Sequence, residues 1–148
     1  MACSEVKKVY MEHPVAVIEC FEEIPCNPCQ TCCKQHAITF SGGTINSTPK
    51  LDASRCTGCG LCIATCPGQA IFVLDGTFSE TEGLVSIPYE FLPLPQKGQA
   101  VDVMNRDGQV ICRGEIHRVL NPASFNSTAV VTMRIPKEYM DQARSFRY

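Results

Sequence analysis

Cys56-Thr57-Gly58-Cys59-Gly60-Leu61-Cys62-Ile63-Ala64-Thr65-Cys66-Pro67 places four thiols in one short run, at the spacing C-x2-C-x2-C-x3-C followed by proline. Three cysteines at intervals of three residues can wrap one corner of a cubane iron–sulfur cluster. The fourth, set one residue further off, points elsewhere; in two-cluster proteins with this run it ligates the other cluster. The stretch therefore predicts a second cysteine set nearby.

That set lies upstream, in Glu19-Cys20-Phe21-Glu22-Glu23-Ile24-Pro25-Cys26-Asn27-Pro28-Cys29-Gln30-Thr31-Cys32-Cys33-Lys34-Gln35-His36-Ala37-Ile38. Two registrations are open. One uses Cys26, Cys29 and Cys32, with His36 where a fourth cysteine would stand. The other aligns Ala37-Ile38 with Ala70-Ile71, so that Cys33 matches Cys66, Cys29 matches Cys62 and Cys26 matches Cys59. Glu23 then takes the place of Cys56, and Cys20 supplies the missing thiol. The second is preferred because it accounts for Cys20 and recovers an internal repeat. It assigns Cys20, Cys26, Cys29 and Cys66 to one 4Fe–4S cluster and Cys33, Cys56, Cys59 and Cys62 to another. Cys3, Cys32 and Cys112 are left over, with Cys32 the rival of Cys20.

Thiols bind iron as thiolates, so assembly releases protons and supplies folding free energy. The segment is too rich in Cys, Gly and Pro to build a large core, so residues 20–75 are expected to be disordered or misfolded without clusters. Ile38, Phe40, Leu61, Ile63, Ile71 and Val73 are candidates for the apolar shell around them.

Composition narrows the class. Eleven cysteines in 148 residues is an odd count, and Met1-Ala2-Cys3-Ser4-Glu5-Val6-Lys7-Lys8 has no apolar signal region, which favours metal ligation over a disulfide scaffold. No run of eighteen apolar residues is present, so no membrane-spanning helix is expected. Residues 1–76 carry five Lys/Arg against seven Asp/Glu, and residues 77–148 carry eight of each. Neither half is a nucleic-acid footprint. The weak net charge gives little long-range steering, which favours a fixed subunit over a diffusing carrier.

Elsewhere, Val6, Val9 and Tyr10 with Val15–Ile18 read as one or two strands, with Pro14 as a break. Residues 38–45 read as a hairpin over Gly42-Gly43, and Ile71–Leu74 as a strand ending at Asp75-Gly76. From about Ser79 cysteine nearly disappears. Strands are expected over residues 84–87, 89–92, 100–104, 109–112 and 128–135, with an Asp107-Gly108 hairpin turn, Val110, Cys112 and Ile116 facing inward, and a short helix from Pro136 to about Phe146. No catalytic constellation appears there. The expected class is α+β: a dicluster bacterial-ferredoxin-like domain over residues 1–78, followed by a small β-rich domain, barrel or sandwich, over residues 79–148, with a C-terminal helix.

Residues 20–71 resemble the dicluster 4Fe–4S ferredoxin family. The modified first motif, E-C-F-E-E-I-P-C-N-P-C, with I-P-Y-E-F-L-P-L-P at 87–95 and T-A-V-V-T at 128–132, is similar to small iron–sulfur subunits of FAD-dependent dehydrogenases of the proline and hydroxyproline type. Lys34 departs from the proline that follows the last cysteine, and Cys32 is extra. The resemblance implies an electron-transfer subunit without a substrate pocket. It would sit in a cytoplasmic hetero-oligomer beside a FAD-containing dehydrogenase subunit that oxidises an amine or amino acid. A stand-alone dicluster ferredoxin and a structural zinc-binding interaction module are the alternatives.

Overall fold

A computed structural model describes residues 9–126 and 128–148. Cys3 and Val6 lie outside them; Val9 and Tyr10, expected in a strand, enter a turn in which Glu12 N–H and His13 N–H both donate to Val9 O, at 2.9 and 3.0 Å. In chain order the elements are β1 (Val15–Ile18), α1 (Pro28–Cys32), β2 (Ile38–Phe40), β3 (Pro49–Leu51), α2 (Leu61–Thr65), β4 (Ile71–Asp75), β5 (Glu82–Tyr89), β6 (Ala100–Met104), β7 (Val110–Leu120), β8 (Ala129–Pro136) and β9 (Ser145–Arg147). Two short 3-10 turns, Ala123–Phe125 and Lys137–Tyr139, flank β8. Among these residues seven strands form one sheet in the order β1-β4-β5-β8-β7-β6-β9, with β2 and β3 paired separately.

β4 joins the cysteine region to the rest. Successive strand side chains point to opposite faces, and β4 uses both: Phe72 and Leu74 enter the main core with Val85, Val103, Ile116, Met133 and Ile135. Ile71 and Val73 enter a second core with Cys29, Cys62, Ile63 and Ala64. Val15 and Ala16 of β1 divide in the same way. The change of composition near Ser79 falls between β4 and β5, and the antiparallel ladder crosses it, with Val73 opposite Ser86.

Residues 15–75 are built twice, 33 residues apart, the separation of Cys33 from Cys66. α1 (Pro28–Cys32) maps onto α2 (Leu61–Thr65), and β2 (Ile38–Phe40) onto the first three residues of β4. Pairing obeys the same two-fold relation. Ile18 opposes Ile71 as Ile38 opposes Leu51, and Val17 opposes Phe72 as Thr39 opposes Lys50. Glu19 N–H donates to Ala70 O at 2.7 Å, and its mate Asp52 N–H donates to Ala37 O at 2.7 Å. His36 and Gln69, each three residues past a cysteine, share the left-handed conformation at φ 52° and 51°. Side chains other than glycine rarely adopt it.

Three further expectations are corrected. The hairpin after Ile38 does not close over Gly42-Gly43: β2 pairs with Pro49–Leu51, and Ser47 Oγ ties the longer loop to Gly42 N–H at 3.0 Å. Ile45 stays exposed, and its carbonyl accepts Cys26 N–H at 3.3 Å. The C-terminal helix is replaced by the Lys137–Tyr139 turn and β9. Met140 and Ala143 are buried in the main core, and Arg144 N–H donates to Met104 O, which starts a ladder on the open edge of β6. Pairing that edge satisfies backbone groups that a continuing helix leaves bare. Val110 faces solvent while Ile116 is fully buried, with a register shift between Ile116 and Arg118. The Asp107-Gly108 turn joins β6 to β7 as expected, with Asn105 Oδ1 accepting the N–H groups of Asp107 and Gln109.

Candidate metal centre

The ligand loops are shaped by backbone more than by side chains. Gly60 caps α2 in the left-handed conformation, at φ 83°. Gly58, at φ 70°, lies so close to Pro14 that a Cβ there would come within 3.0 Å of the proline's carbonyl carbon. Only glycine combines that φ with that approach. Both helices end on a cysteine in extended conformation, Cys33 at φ −76°, ψ 104° and Cys66 at φ −69°, ψ 114°. The turn that follows brings a backbone amide back onto each sulfur. Ala37 N–H donates to Cys33 Sγ at 3.4 Å, and Ala70 N–H donates to Cys66 Sγ at 3.5 Å.

Two cavities flank the helix pair. Cys33, Cys56, Cys59 and Cys62 line one of about 200 Å³, with Ala16, Ile38, Leu61 and Val73 among its walls. Cys20, Cys26, Cys29 and Cys66 line the other, with Ile18, Phe40, Pro49 and Ile71. Each set takes three thiols from one half of the repeat and one from the other. The donor chemistry fits an iron–sulfur cluster: soft sulfur ligands, N–H groups directed at sulfur and apolar walls. The cavities differ in readiness. The first site, that of Cys20, holds only about 30 Å³, room for a water or two. Residues 21–25, between Cys20 and Cys26, are exposed throughout.

Cys32 lines neither cavity. Its repeat mate is Thr65, and the two meet: Thr65 Oγ1 donates to Cys32 Sγ at 3.2 Å. A contact between mates lies on the axis relating the halves, so Cys32 stands between the sites. It donates in turn to Cys29 O at 3.4 Å. His36 is exposed and lines neither cavity. Cys112 sits half-buried against the main core, away from both.

Electrostatics describe the iron-free thiols. Burial raises Cys29 to about 11, with nearby Cys66 adding to the effect. Burial raises Cys62 further and moves Cys26 and Cys32 in the same direction. These thiols are protonated at neutral pH, so metal must displace protons to bind. The ten described cysteines are all free of disulfides. Among the described residues no three His, Cys, Asp or Glu side chains converge tightly enough for a single ion. The described helices include none long and apolar enough to cross a membrane.

The amides of Ala37 and Ala70 escaped the sequence reading as donors, although the same residues set its registration. Ala16 N–H, which donates to Cys56 Sγ at 3.3 Å from a strand 40 residues away, left no signal in the sequence.

Residues 49–72 match the family model for the 4Fe-4S binding domain, a span that holds Cys56, Cys59, Cys62 and Cys66. The Ferredoxin-type protein NapF of three Escherichia coli strains is 38% identical to the chain over 53 residues. That match covers 34% of this chain and 32% of each relative, so the chain spans about a third of the length of these curated proteins. No solved structure matches significantly. The chain thus carries a 4Fe–4S binding segment, and that part of it is similar to a ferredoxin-type protein.

Proposed function

We propose that this chain is the electron-transfer subunit of a cytoplasmic hetero-oligomer. In this reading Cys20, Cys26, Cys29 and Cys66 hold one 4Fe–4S cluster, Cys33, Cys56, Cys59 and Cys62 hold a second, and a flavin-containing dehydrogenase subunit that oxidises an amine or amino acid is the electron donor. The observation that carries it is the pair of cavities, each walled by four cysteines drawn crosswise from both halves of a two-fold repeat. Clusters bound there supply one-electron redox chemistry, which suits a donor whose reduced flavin gives up two electrons in steps. The chain's own groups do the rest. The sulfurs hold iron, the N–H groups of Ala16, Ala37 and Ala70 stabilise charge on sulfur, and Ile38, Ile71 and Val73 keep water back. A flavin partner is supported by the first-motif and 87–95 resemblances.

Anaerobically purified protein is expected to be brown, with about eight iron and eight acid-labile sulfides per chain. Colourless protein with stoichiometric zinc overturns the reading. A tagged chain is expected to co-purify with a flavin-containing chain. Purification alone with full iron content supports the second reading, a stand-alone dicluster ferredoxin, which the ferredoxin-type name of the curated relatives favours.

A further inference from the structure

The repeat that builds the two sites also allows them to be compared position by position, and the mates differ where it matters. Ala16 lines the second site, that of Cys33, and donates its N–H to Cys56 Sγ at 3.3 Å. Its mate across the 33-residue offset is Pro49, which lines the first site and has no N–H to give. Glu22 lines the first site, and its mate is Arg55, whose guanidinium donates to His36 O at 3.3 Å on the loop that follows Cys33. Lys34 lines the second site where its mate Pro67 lines the first. Cys59 is exposed, and no cysteine of the first site is.

All four differences act in one direction. Taking up an electron adds negative charge to a cluster and its sulfurs. Amide donors to sulfur, nearby cations and contact with water stabilise that charge, while a nearby carboxylate opposes it. The second site has the extra donor, the lysine and the exposed sulfur, with Arg55 held on the loop after Cys33; the first has the glutamate. Glu19, Arg106 and Arg144 pair together beside residues 68–70 and leave one positive charge over there, a smaller effect in the opposite sense, since none of the three lines the first cavity. Asp52, the mate of Glu19, is turned to Ser54 Oγ and lines neither cavity.

We propose that the two sites are electrochemically unequal: the Cys33, Cys56, Cys59 and Cys62 site takes up an electron more readily than the Cys20, Cys26, Cys29 and Cys66 site. An electron shared between them resides on the second. The inference rests on the two-cluster reading above and adds to it an internal direction, from the first site to the second. The Ala16/Pro49, Glu22/Arg55 and Lys34/Pro67 differences set that direction.

The test is a reductive titration of anaerobically purified full-length protein with dithionite as electron donor, followed by electron paramagnetic resonance at low salt. Low salt matters because Glu22 and Lys34 are exposed and their influence is screened by ions. Two one-electron waves are expected, separated by at least about tenfold in equilibrium constant, or about 59 mV. Lys34→Gln is expected to shift only the higher wave, downward, and Glu22→Gln only the lower wave, upward. Both side chains are at the surface, so neither change threatens the fold. A single wave carrying both electrons overturns the proposal, as does a Lys34→Gln shift confined to the lower wave. Iron content, measured first, separates this failure from the other: about four iron per chain overturns the two-cluster reading itself.

Discussion

Replacing Cys32 and Cys20 in parallel tests the ligand assignment where the sequence left two choices. Cys32 touches Thr65 Oγ1 at 3.2 Å and Cys29 O at 3.4 Å, and lines neither cavity. In Cys32→Ala the threonine hydroxyl keeps Leu61 O at 3.1 Å, so no donor is stranded. What is lost is two weak sulfur hydrogen bonds, one of them to the exposed Thr65, and a small side chain, a cost of about 1 kcal/mol. Iron stays at about eight per chain, since no ligand of either cubane has gone. Cys20→Ala behaves in the opposite way. Cys20 lines the first cavity, and its loop makes no strand or helix, so stability of the iron-free chain barely changes. Iron falls toward about four per chain, because three thiolates leave one corner of a cubane without a protein ligand. The assay is anaerobic purification of both variants, with iron and acid-labile sulfide counted against protein, and urea unfolding of the chelator-treated chains. If Cys32→Ala halves the iron while Cys20→Ala keeps all of it, the ligand assignment and the axial role of Cys32 are both wrong.

Gly58→Ala forces an L side chain into φ 70° and onto Pro14, at about 1–2 kcal/mol for the left-handed backbone and about 1–3 kcal/mol for overpacking. Gly98→Ala, at φ 87° with nothing within 4 Å, serves as control: it bears the backbone cost alone and leaves iron unchanged, and equal loss in the two by urea unfolding refutes the contact. Ile63, fully buried in α2 between the cysteine loops and β4, is expected to cost about 2–5 kcal/mol as Ile63→Ala. Loss of less than about 1 kcal/mol in the same assay means that the second core is not packed as described. The iron-free chain has its own pH signature: Cys29 and Cys112 are raised by burial to about 11 from 9.0. A thiol held protonated by folding stabilises fully below its unfolded pKa, and that contribution disappears as pH rises through the folded value. Urea midpoints are therefore expected to fall between about pH 9 and pH 11. A flat profile across that window refutes the burial of these thiols.

Much of the site is legible in the chain because cysteine ligation is a matter of local spacing. The C-x2-C-x2-C-x3-C run needs only a few residues to announce itself, and Ala37-Ile38 against Ala70-Ile71 is enough to place Cys33 opposite Cys66. The strands Val15–Ile18, Ile71–Asp75 and Ala129–Pro136 are legible as β-branched runs, and the β6–β7 turn as Asp107-Gly108. The hairpin partner of Ile38 was misread because Gly42-Gly43 is a strong local turn signal. The two-fold relation that pairs β2 with Pro49–Leu51 acts across a longer loop. The C-terminal helix was misread because Pro136 opens a helix well in isolation, while the open edge of β6 that captures Ser145–Arg147 is visible only once the sheet exists.

The sequence by itself determined the kind of chemistry: eleven thiols, their intervals and the repeat they mark. Only the tertiary structure decided how each sulfur is treated. It brings Ala16 N–H to Cys56, leaves Pro49 silent at the equivalent place, sets Cys32 against Thr65 between the sites, and lays β4 across both cores. Those contacts join residues tens of positions apart, and the direction of a backbone N–H depends on pairing and packing that no local interval encodes.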